Sequence, residues 1–113
     1  MSKKRAETLA SAAVLFAALG DPTRITLLQE LSDRGPASIS ALAGRFPVMT
    51  RQGVSKHLRV LAAAGVIAGD HRGREHVWAL NPERVAEGRR CLKLIVRGWD
   101  DALARLKRHV EEG

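Results

Sequence analysis

A chain of 113 residues has room for one domain with a small core. Its 19 Lys and Arg against 12 Asp and Glu leave a net charge of +7, a balance suited to a polyanion such as nucleic acid or an acidic membrane surface. The single cysteine, Cys91, excludes an intramolecular disulfide and points to a reducing compartment, and no apolar run approaches the roughly 18 residues of a transmembrane helix.

Lys3, Lys4 and Arg5 lie in a basic arm, residues 1–7. They resemble the charged start of a secretion signal. However, Glu7 follows, and the apolar run beyond it stops at Gly20-Asp21-Pro22. The expectation is a cytoplasmic protein whose arm either touches DNA or stays unstructured. Residues 6–19, rich in alanine and carrying Leu9, Val14, Leu15, Phe16 and Leu19, read as a first helix that Gly20 ends. Asp21 as N-cap and Pro22 at the first helical position open a second. Ile25, Leu27, Leu28 and Leu31 form its apolar face, and Gly35-Pro36 breaks it. Ser38 caps a short third helix with Ile39, Leu42 and Ala43 inward. Pro47 stops it, because the residue before proline avoids the α region.

Thr50 then caps a fourth helix. At about 100° per residue, Val54, Leu58 and Leu61 form a core stripe. Gln52, Ser55, Lys56 and Arg59 fall opposite. An amide, a hydroxyl, an ammonium and a guanidinium are the groups that read base edges and clamp phosphates. A face that merely meets water usually mixes both signs of charge; this one has no carboxylate. The short link from the third helix is what a helix-turn-helix needs, residues 38–64. Residues 45–76 hold six cations against two acids and three of the four histidines.

Gly65 closes the fourth helix. Residues 66–68 and 76–80 read as two strands around the turn Asp70-His71-Arg72-Gly73-Arg74, a basic hairpin over residues 66–80. Asn81-Pro82 starts a last helix running to about residue 110. Along it Leu92, Val96, Trp99, Leu103, Leu106 and Val110 are spaced 4, 3, 4, 3 and 4, a heptad seam. That stripe exceeds what a small core can use, so it predicts a homodimer interface, with Leu9 and Phe16 of the first helix alongside. Gly88 and Gly98 in its interior allow a bend. The fold class is therefore mainly α with a small β-hairpin.

The order of four helices, hairpin and long helix resembles winged helix-turn-helix repressors. Leu19-Gly20-Asp21-Pro22-Thr23-Arg24 followed by Ile25, Leu27 and Leu28 resembles the opening motif of the arsenic-repressor (ArsR/SmtB) family. Ser55-Lys56-His57-Leu58 followed by Leu61, Ala64, Gly65 and Val66 is similar to that family's recognition segment, and Arg74 to its wing. The likeness covers about residues 10–110. It implies a homodimeric transcriptional repressor on a pseudo-palindromic operator of double-stranded DNA, with the fourth helix in the major groove and the hairpin as wing. Carried over by position, Thr50 caps that helix. Arg51, Gln52, Ser55, Lys56 and Arg59 meet DNA, and Arg72 and Arg74 serve the wing. His57 lies nearer the buried side, where it either packs or faces a phosphate.

The family's metal sites do not carry over. Where a third-helix site needs close cysteines, this chain has Ser38-Ile39-Ser40-Ala41-Leu42-Ala43. A site between last helices uses Asp-x-His and His-x-x-Glu. His109 and Glu112 match its second half, but Val96 and Gly98 occupy the first and cannot ligate. The closing Trp99-Asp100 pattern resembles a branch of the family that binds no metal. Neither a metal nor another cofactor is expected, and nothing in the sequence names an effector. The alternatives are a thiol- or metal-responsive repressor, through Cys91 or the terminal His and Glu, and a winged-helix protein-interaction module without DNA binding. An enzyme is not expected, because no glycine-flanked nucleophile, phosphate loop or core-facing carboxylate pair occurs.

Overall fold

The computed structural model describes residues 2–112; Met1 and Gly113, the ends of the expected domain, lie outside the described residues. In chain order the elements are α1 (Lys3–Leu19), α2 (Pro22–Arg34), β1 (Ala37–Ser38), α3 (Ile39–Arg45), α4 (Arg51–Ala63), β2 (Ile67–Arg72), β3 (Glu75–Leu80) and α5 (Pro82–Glu112). The architecture is mainly helical with a small antiparallel sheet, ordered β1-β3-β2.

Local chemistry starts and stops each helix. The Asp21 carboxylate accepts the Arg24 N–H at 3.1 Å, the Ser38 hydroxyl the Ala41 N–H at 3.1 Å, and the Thr50 hydroxyl the Gly53 N–H at 2.9 Å. Each satisfies a donor that has no partner inside the helix. At the far end of α4, Gly65 sits at φ +83°. Its N–H donates to the Ala62 carbonyl at 3.0 Å, and the Val66 N–H to the Leu61 carbonyl at 3.2 Å. That is the Schellman arrangement, whose left-handed residue glycine adopts without steric cost.

The core gathers where α2, α3 and α4 meet the sheet beneath α1. Leu27, Leu42, Val54, Leu58 and Leu61 are fully buried, and Leu15, Leu31 and Ile67 close around them. The core stripe of α4 thus leaves its opposite face outward. α1 packs against the first half of α5, and Gly88 is the contact point: a Cβ there would stand 2.7 Å from Leu15 Cδ2. Beyond it every residue from Val96 to Glu112 is exposed. No single helix among the described residues is long and apolar enough to cross a membrane.

Three features differ from the expectations. First, α1 begins at Lys3, so the basic residues read as an arm form its first turn, capped by Ser2, whose hydroxyl accepts the Arg5 N–H at 3.1 Å. Second, β1 pairs with β3, Ala37 opposite Trp78 and Ser38 opposite Val77. Third, the hairpin strands extend through the expected turn: His71 lies opposite His76 and Arg72 opposite Glu75, leaving a two-residue turn of Gly73 and Arg74. With φ +67° at Gly73 and no positive φ at Arg74, this follows the type II′ pattern whose twist matches its flanking strands. α5 continues as one helix past both Gly88 and Gly98.

Candidate nucleic-acid interface

The exposed face of α4 is built in sequence order from its cap. Thr50 fixes the first turn, and Arg51, Gln52, Lys56 and Arg59 stand exposed with Ser55 half-buried beside them. Among the described residues none of the cations Arg51, Lys56, Arg59, Arg72 or Arg74 enters an ion pair, although pairs form elsewhere at Arg34–Glu30, Arg45–Glu30 and Arg84–Glu87. Unpaired guanidinium and ammonium groups on one helix face, with no carboxylate among them, keep their donors free for an anionic partner.

His57 points elsewhere. It is half-buried, with Nδ1 at 4.0 Å from Asp21 Oδ2, against the N-terminus of α2. The Arg24 backbone N–H holds the Asp21 carboxyl below its ordinary pKa, outweighing partial burial, and Arg24 and His57 add to that lowering. The contact places His57 beside the cap of α2.

On the hairpin, Arg72 and Arg74 are exposed at and beside the turn. Its rings form a ladder that no local sequence signal marked: His71 lies 4.7 Å from His76, and His76 stacks on Trp78 at 4.5 Å. Gly69, opposite Trp78, leaves the space that the His76 ring fills, since a Cβ there would collide with His76 Nε2. Trp78 packs against the core, so the ladder runs from the core at the base of the hairpin toward its basic tip.

The expected dimer residues divide. Leu92, Val96, Trp99, Leu103, Leu106 and Val110 are all exposed, Trp99 at 62% and Leu103 at 61%. Leu9 is half-buried in a crevice between α1 and α5, and Phe16 is half-buried against the protomer's own core. Cys91 is buried on the inner face of α5, 3% exposed. His109 and Glu112 sit on the exposed last turns of α5, and among the described residues no three His, Cys, Asp or Glu side chains cluster to hold a metal.

A helix-turn-helix domain family matches residues 19–70. Among curated relatives, the chain is 36% identical over 90 residues to an HTH-type transcriptional regulator of Bacillus subtilis, YuzN, spanning 75% of this chain and 90% of that one. It is 32% identical over 85 residues to the arsenical resistance operon repressor of the same organism, spanning 75% and 80%. Among solved structures, an ArsR-like transcriptional regulator from Rhodococcus sp. RHA1 superposes with a TM-score of 0.79 at 38% identity, covering 90% of this chain and 94% of that one.

Proposed function

The chain belongs to the ArsR/SmtB family of helix-turn-helix transcriptional regulators, and from that premise we propose that it is a homodimeric, metal-independent repressor acting in the cytoplasm on a pseudo-palindromic operator. The observation that carries this reading is the α4 face, where Arg51, Gln52, Lys56 and Arg59 stand exposed, unpaired and without a neighbouring carboxylate on the helix. Gln52 suits bidentate contact with adenine, and Arg51 or Arg59 with guanine. Ser55 and Lys56 hold the flanking backbone. Arg72 and Arg74 place the wing on phosphates. Thr50 and His57 act by fixing the helix, through its cap and through Asp21.

The homodimer is supported by the α5 stripe. Six large apolar residues at heptad spacing stand exposed on α5, from 39% at Val96 to 69% at Val110, more than isolated surface residues would explain. Two copies joined through α5, with Leu9 and Phe16 of α1 at the margin, would carry two reading helices onto half-sites about one DNA turn, roughly 10 bp, apart or a multiple of that. Metal independence is supported by the cysteine-free α3 and by Val96 and Gly98 where ligands would be needed. In domain terms, residues 38–64 read DNA, 66–80 form the wing and 82–110 dimerise.

The test is fluorescence anisotropy against a duplex from upstream of the protein's own gene, beside a scrambled duplex, across salt concentrations and with EDTA. A preference for the native duplex that survives EDTA is expected. Equal, salt-fragile binding to both would leave only non-specific electrostatic attraction and overturn the reading.

A further inference from the structure

We propose that Arg84 is a positioning residue for DNA reading: its guanidinium locks the C-terminal end of α4 to α1 and α5 and so sets the angle at which the reading helix leaves the dimer. The inference rests on α4 being the reading helix of a homodimer.

Arg84 lies in the first turn of α5 with its side chain 14% exposed. Its Nε donates to the Ala64 carbonyl at 2.8 Å, directly after α4. Nη2 donates to the Ser11 carbonyl of α1 at 2.9 Å, and Nη1 to the Ser11 hydroxyl at 3.0 Å. Nη1 also meets Glu87 Oε2, one turn along α5, at 2.9 Å. One planar group therefore joins three helices. The Ala64 carbonyl belongs to a helix end whose last carbonyls lack intrahelical donors, and a cation there also meets the negative end of the helix dipole. The stem crosses Gly65, where a Cβ would stand 3.5 Å from Arg84 Cγ. Asn81 adds two bonds to the same corner, from Nδ2 to the Gly65 carbonyl at 3.0 Å and from its N–H to the Val66 carbonyl at 2.9 Å. Those reach only the start of α5; Arg84 alone of the two extends to α1.

Leverage makes this joint matter. α4 has 13 residues, so it is about 20 Å long, and a tilt of about 10° pivoted at Ala64 moves Arg51 by about 3 Å, close to one base-pair step. Two copies must hold that angle together to fit half-sites on one face of DNA. Lysine would not replace the joint, because a single ammonium lacks the fixed fork that grips Ala64 and Ser11 at once.

The experiment measures tolerance to half-site spacing. A duplex is selected from a random pool by the unmodified protein, and versions with the central gap one base pair longer or shorter, a rotation of about 35°, are compared with it. The unmodified protein is expected to lose about tenfold or more in affinity, the scale of a badly placed contact. Arg84→Met keeps the stem over Gly65 and removes the donors, while Arg84→Lys keeps charge without the fork. Both are expected to stay dimeric by sedimentation and to discriminate the spacings by less than about threefold. Should Arg84→Met not fold, Arg84→Lys and Ser11→Ala, the latter losing only the hydroxyl contact, carry the test in the same direction. Full spacing discrimination in every folded variant overturns the role of Arg84 and leaves α4 as reader intact. No spacing preference in the unmodified protein overturns the paired reading helices and the proposal with them.

Discussion

Gln52 and Arg72 are both exposed and polar, yet the chemistry they offer DNA differs. An amide can pair with two atoms of one base, so Gln52→Ala should cost about 1–3 kcal/mol on the preferred duplex and little on random DNA. A wing arginine in the proposed role would meet phosphates, which every sequence shares. Arg72→Ala should therefore weaken all duplexes alike and lower the salt slope of log K by about 1. Anisotropy titrations on both duplexes separate the two; equal losses for Gln52→Ala would falsify its role as reader. Asp21 works inside the fold instead. Its folded pKa is lowered, chiefly by the Arg24 N–H, so its cap stabilises fully above the ordinary aspartate range and is lost as pH falls through the lowered value. Asp21→Ala should thus be less stable than the parent in urea at neutral pH, and the gap should close in acid.

Among elements, α5 shows how much a helix interior depends on its neighbours. Gly88 and Gly98 look alike in sequence, and each costs about 1 kcal/mol of helix propensity relative to alanine. A Cβ at Gly98 meets nothing within 4 Å, whereas one at Gly88 strikes Leu15 in the core. Gly98→Ala should stabilise by about 0.5–1 kcal/mol, while Gly88→Ala should not stabilise, because Leu15 must shift to admit it. Urea denaturation at fixed protein concentration checks the pair. The hairpin makes a similar point. Asp70-His71-Arg72 has turn composition, but cross-strand pairing and the His71–His76–Trp78 ladder draw it into β2; register is a property of two segments, and neither carries it alone.

At the scale of the whole molecule, the radius of gyration is 18.4 Å, well above the about 13 Å of a globular chain this long. The excess reflects α5, whose second half leaves its protomer with a large apolar stripe exposed. Replacing Leu103 and Leu106 together with glutamate should convert the proposed α5-joined dimer to monomer at micromolar concentration, read by sedimentation. Affinity for a full operator should then fall to that for a half-site, because the gain from tethering two readers is lost.

Much of this protein follows from short-range rules. The caps at Asp21, Ser38 and Thr50, the breaks at Gly20, Gly35 and Gly65, the apolar stripe of α4 and the heptad seam of α5 need only residues within a few turns of one another, and so they are legible in order along the chain. The same holds for the chemistry of the α4 face, since helical periodicity alone puts Gln52, Lys56 and Arg59 together. What is not legible depends on distant partners. Two residues of β1 have no pattern of their own and are strand only because β3 lies beside them. His57 chooses Asp21 across 36 positions, and Arg84 finds Ser11 across 73. Contacts at such separations are set by how the helices pack, and that packing appears only when the whole core closes.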